Sequence, residues 1–230
     1  MVGKRPSEGL GGEAVASSAW VTRVLRRDYV AGITVDIDGD LASVPDLFGD
    51  VRLTGVGHQF LAWWLEACGD EIIPSPDAVS PRALRQVLPY IRYMSWEGPE
   101  KLVFRIYGSA LAEATGFDLT GCDLFGLGDY PGRHLDISRL KTLHDMPCGL
   151  VMLREMQGFD GNRYPCELLT MPIAPAADGK PRIIGTIVPT EVHEDIWTRK
   201  IRMDREPGLK RAVFIDTGHG VPDPLLGLER

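Results

Sequence analysis

Three observations predict an α+β fold in which one antiparallel sheet of five strands is closed by a helical crossover. Apolar residues alternate with period two over residues 90–95, 101–107, 149–156, 164–171 and 182–188, as in strands with one buried face. Between the second and third of these, Ile137, Leu140, Leu143 and His144 recur at helical spacing over 133–144, which marks a helix of the crossover. Turn signals separate the strands: Gly98-Pro99 in the first pair, then Asp160-Gly161 and Asp178-Gly179 in the meander that follows, where Asp-Gly supplies the positive φ of a hairpin turn. Two strands, helices and a three-strand meander make one sheet with helices on a face.

The elements follow in chain order. Residues 1–18, rich in Gly, Ser, Ala and Glu, are expected to be disordered. A short basic amphipathic helix is expected over 19–29, and Asp36 to Asp40 is better read as an Asp-Gly turn than as a calcium loop, since it lacks the register of an EF-hand. The segment 58–67 holds Phe60, Leu61, Trp63, Trp64 and Leu65, a helix too apolar to stand alone in water. Neighbouring residues on a helix lie about 100° apart, so Trp63 and Trp64 cannot both point inward; Phe60, Trp63 and Trp64 are therefore candidates for a homodimer face. Ser80 caps and Pro81 starts a second short helix to Leu88, which Pro89 stops. In the strand 101–107, Leu102, Phe104 and Ile106 alternate with Val103, Arg105 and Tyr107; Arg105 should thus face away from the interior. Ser109 is placed to cap a helix over 110–115, and Gly116 to end it in a left-handed conformation.

The run FRIYGSAL followed by GFDLTG, together with Ile73-Pro-Ser75, Ser80-Pro81 and Leu88-Pro89, resembles the PAS sensory domain. It is most similar to a bacterial stand-alone subfamily in which an FRYRLVGT-like strand precedes GxDLTG. The resemblance extends over residues 57–198, leaving 1–56 as a disordered or loosely docked segment that contains the N-terminal amphipathic helices, and 199–230 as a flexible tail. It implies a PAS-like fold and a role in bacterial signal transduction.

Composition narrows the function further. With 230 residues, 44% of them hydrophobic, and a net charge of −7, the chain suits one compact domain and not a nucleic-acid binder acting through bulk charge. No apolar run reaches the roughly 18 residues of a membrane span, and no signal-peptide core follows Lys4-Arg5, so a cytoplasmic protein is expected. Cys68, Cys122, Cys148 and Cys166 are scattered, as reduced thiols would be. Nucleophile-elbow, phosphate-loop and zinc-protease motifs are missing from the sequence, and no catalytic residue or metal ligand is assigned.

A sheet under a helical crossover encloses a cleft. Its candidate lining is Phe104, Ile106, Leu111, Phe117 and Phe125 from the first half, and Ile137, Leu140, Val151, Leu168 and Ile187 from the second. Phe104 and Ile106 are expected to face Leu140 and Val151. Two accounts stay open: these side chains fill a core, or they surround a small-molecule ligand. By resemblance to haem-binding PAS sensors, His134 or His144 could serve as an axial ligand; His144 also suits simple capping of its helix end. The Cys122 context lacks the Asn and Gln of a flavin-photoadduct sensor. The expected function is a non-catalytic sensory or interaction module acting with a signalling protein partner, with a haem or flavin sensor or enzyme and a pure dimerisation adaptor as the alternatives.

Overall fold

A computed structural model describes residues 53–130, 132–158, 163–190, 201–202 and 208–222. The expectations for residues 1–18, 19–29 and 36–40 and for the Asp160-Gly161 turn lie outside them. Helix α1 (Gly55–Cys68) is followed by strands β1 (Ile91–Gly98) and β2 (Lys101–Tyr107), then helices α2 (Ser109–Thr115) and α3 (Arg133–Asp145). Strands β3 (Cys148–Gly158), β4 (Arg163–Ile173) and β5 (Arg182–Pro189) form the meander, and β6 (Ile201–Arg202) and β7 (Gly208–Asp216) complete the sheet. The spatial order is β2-β1-β5-β4-β3, with β6 and β7 both on the far edge of β3, and every pairing is antiparallel.

The five expected strands and the crossover are present, and two strands are added. Residues 199–230 were expected to be a flexible tail; instead Gly208–Asp216 pairs with β3 from Cys148↔Asp216 to Glu155↔Gly208. An uncovered strand edge presents a row of unpaired backbone groups, and the apolar residues Val213, Phe214 and Ile215 become buried when that edge is taken up.

Both faces of the sheet are buried. One carries α1 through Phe60, Leu61, Trp64 and Leu65 on β-strand residues such as Val151, Leu169, Met171 and Ile184. The other carries α2 and α3 over Phe104, Leu150, Met152 and Leu168. Period-two alternation sends successive residues of a strand to opposite layers, and β3 and β4 obey it: Leu150 and Met152 join the second layer while Val151 joins the first.

Local geometry explains the glycines of the FRIYGSAL and GFDLTG runs. At Gly108 a Cβ would lie 2.2 Å from the carbonyl oxygen of Pro89, so only glycine lets the loop before β1 pack there. Gly108, not Ser109, is the residue that precedes α2, and Gly116 ends the helix at φ 75°. Asp118 accepts from the Thr120 N–H at 2.9 Å, an Asx turn. The loop then lies along the outer edge of β2, with Gly121 N–H donating to Phe104 O at 2.8 Å and Phe104 N–H to Cys122 O at 3.0 Å. The second short helix expected over 81–88 is a series of turns ending in a 3-10 turn at Leu88–Tyr90; Leu84 and Val87 still point into the α1 layer.

Candidate functional site: a chamber between sheet and crossover

The chamber is a cavity of about 230 Å³ between the sheet and α3. Phe104, Phe125, Leu140, Leu168 and Ile187, five of the residues expected to line it, do so. Met152 and Met156 from β3 and Tyr107 from β2 complete its inner wall. Exposed Leu127, Gly128 and Asp129 border it on the loop before α3.

The other five expected lining residues lie elsewhere, each for a local reason. Ile106 was expected on the same face as Phe104. In the pairing of β1 with β2, however, Met94 opposes Phe104 and Tyr93 opposes Ile106, which leaves Arg105 as the extra residue of a bulge. A bulge inverts the parity beyond it, so Ile106 packs in the α1 layer and Tyr107 turns into the chamber. Val151 also belongs to the α1 layer, because β3 stands one residue out of the expected parity. Leu111 lines a separate space of about 20 Å³, room for roughly one water, next to Tyr107 and Ile187. Ile137 is buried beside the cavity in the same layer. Phe117 is 65% exposed and turns outward.

Polar groups that were not anticipated stand on the inner wall. β1 places Arg92 at the parity of Met94 and Trp96, so its guanidinium enters the chamber layer at 4% exposure. Its Nη2 donates to Thr170 Oγ1 on β4 at 2.6 Å, and its Nε has no partner. Burial, aided by the nearby positive charge of Arg154, lowers the Arg92 pKa to about 10, so the side chain remains charged at neutral pH. Arg154 of β3 donates through Nη2 to both carboxylate oxygens of Asp136 at 2.9 Å. Arg139, one turn further along α3, gives a third bond to Asp136 at 3.1 Å, and the Tyr130 hydroxyl a fourth at 3.0 Å. This carboxylate raises the Tyr130 pKa further above what burial alone does. The network ties the loop before α3, α3 itself and β3 together across the chamber.

Sequence reasoning missed these groups, although a signal was there. Arg92 and Arg154 each interrupt an apolar strand at a position of the inward parity. That parity can be read only once the partner strands are known.

A PAS domain family profile matches residues 55–188, more than half of the chain. The chain belongs to the PAS domain family. No curated protein matches it. In this PAS domain the matched span runs from the start of α1 to the end of β5 and so includes every element that builds the chamber.

Neither His134 nor His144, the expected axial ligands, borders the cavity: His134 is exposed, and His144 is partly buried at the end of α3 with its pKa lowered by burial. Among the described residues no group of three His, Cys, Asp or Glu side chains could hold a metal ion, and no helix is long and apolar enough to cross a membrane. Burial pushes the Cys148 and Cys166 thiols up to about 12, which leaves them protonated and unreactive at neutral pH.

The candidate homodimer residues are divided. Phe60 and Trp64 are buried on the chain's own sheet, and the Trp64 indole donates to Pro172 O at 2.8 Å. Trp63 is partly buried against the same layer, its ring 5.8 Å from that of Phe60. The helix covers a sheet face of its own chain, which accounts for the apolar surface that suggested a second subunit.

Proposed function

We propose that this PAS domain is a cytoplasmic sensory module that holds a small molecule in its chamber and passes the occupied state to a signalling protein partner, without catalysis of its own. The observation that carries the reading is the cavity of about 230 Å³ on a sheet that carries a buried apolar layer on each face. Interiors pack at the density of organic crystals, and voids larger than a water are few, so a space of this size supports a ligand chamber over a filled core. The Asp136 network offers a route for signalling, since a ligand against Arg92 or Tyr130 would bear on the loop before α3 and on β3 together. Self-association would use surfaces other than Phe60 and Trp64, which are buried on the chain's own sheet.

Native mass spectrometry of freshly purified protein tests the reading. A bound small molecule that dissociates on activation in the gas phase is the expected result. A bare chain, unchanged after incubation with a cell extract and repurification, contradicts it. Visible absorbance of the same sample reports a haem or flavin directly.

A further inference from the structure

Arg92 is the least satisfied group in the chamber. Arginine is almost never fully buried unless paired, yet among the described residues the acceptor of Arg92 is the Thr170 hydroxyl and not a carboxylate, and its Nε has none. At neutral pH the charges that act on it are those of Arg154 and Asp136, since the Tyr107 phenol, its pKa raised by burial, is uncharged. Asp136 is already engaged by Arg154, Arg139 and Tyr130. The other two carboxylates on the cavity are Asp129, which is exposed, and Glu155, which is only partly buried. A charge taken out of water without a counter-ion costs several kcal/mol, and a partner that supplies the counter-ion recovers much of that. The remainder of the wall is apolar, formed by Phe104, Leu140, Met152, Leu168 and Ile187. A cavity of about 150 Å³ holds benzene, so about 230 Å³ suits a ring or short chain carrying roughly three or four further heavy atoms.

Resting on the reading of the chamber as a ligand site, we propose that it takes a small monocarboxylate with an apolar body, the carboxylate on Arg92 beside Arg154 and the body among Phe104, Leu140, Leu168 and Ile187. The planar guanidinium matches a carboxylate in a two-bond fork, which neither an alcohol nor an amide reproduces.

Calorimetric titration of the full chain at neutral pH with phenylacetate and hexanoate, each against its amide, tests this. Both acids should bind, each at least about tenfold more tightly than its amide, a difference of about 1.4 kcal/mol. Arg92→Met should weaken acid binding at least about tenfold and bring acid and amide within about twofold of each other. Arg92→Lys, which keeps the charge, should retain part of the acid preference; this variant and the wild-type ratio decide the matter if Arg92→Met fails to fold. An amide that binds as tightly as its acid, or acid binding unchanged in Arg92→Met, overturns the anion site while leaving the chamber as a ligand site. Binding of none of the four compounds also overturns it, and the native mass then decides separately whether the chamber holds anything.

Discussion

The two faces of the sheet are built from the same alternating strands, and each buries a polar atom without a partner, Thr186 Oγ1 on the α1 face and Arg92 Nε on the other, but the Arg92 side chain lines the cavity. On the α1 face, Trp64 has its acceptor in Pro172, and Glu167, fully buried on β4, accepts from the Thr54 N–H at 2.6 Å and the Thr54 hydroxyl at 2.9 Å. Those bonds fasten the start of α1 to the sheet, and Thr54 in turn caps the helix by accepting from Gly57 N–H at 3.0 Å. On the chamber face, Arg92 lines the open space and has a buried Nε without a partner. A satisfied polar group fixes a layer; an unsatisfied one beside a void is a site for something that comes and goes. On the proposed reading, one face of the sheet holds the fold together and the other binds.

The largest expected effect is on the structural face. Trp64→Ala should lower stability by about 3–5 kcal/mol, read from the urea midpoint, because it opens a void where a fully buried indole stood and leaves the Pro172 carbonyl without its donor. A loss under about 1 kcal/mol would mean that α1 is not held to the sheet as described.

Overfilling should divide the faces next. Val151→Trp, in the α1 layer, should cost about 1–3 kcal/mol or more, whereas Leu140→Trp, on the cavity wall, should be close to neutral because the ring has space to enter. Equal costs would make the chamber face as full as the other. The same variants expose what the sequence could and could not show. Residues 101–107 read correctly as a strand because alternation is local, but the bulge at Arg105 is a property of the pairing with β1, so the parity of Ile106 was not legible. The helix at Trp63 and Trp64 was legible, as was its need for cover; that the cover is the chain's own sheet depends on contacts far along the sequence. β7 was hidden for the same reason, since the apolar run Ala212–Ile215 means little until the edge of β3 is seen beside it. The chamber was half legible through Phe104, Phe125, Leu140, Leu168 and Ile187, and its charged anchor not at all.

A smaller effect distinguishes the faces by pH. Burial raises the Glu167 pKa from 4.5 to about 8, against the opposing pull of its bonds from Thr54. The folded state thus holds a proton that the unfolded chain releases first, and this group's contribution to stability should fall as pH rises from about 4.5 to about 8. His58, in α1, acts the other way: burial lowers its pKa from 6.5, so stability falls as pH drops below that value and the unfolded chain takes up a proton. Glu167→Gln should abolish the loss toward alkaline pH and leave only the decline on the acid side. Urea midpoints of both proteins across this range measure it, and a parallel pair of curves would remove Glu167 from the account.

The most direct test of a binding face opposed to a structural face uses methionine methyl groups as reporters. Met152 and Met156 line the chamber, and Met171 is buried in the α1 layer. Methyl NMR of protein labelled at methionine, assigned by single replacements and titrated with phenylacetate, should show saturable shifts at Met152 and Met156 while Met171 stays in place. Shifts confined to Met171, or shifts of all three methyls in equal measure, would contradict the division of the sheet into a face that binds and a face that holds.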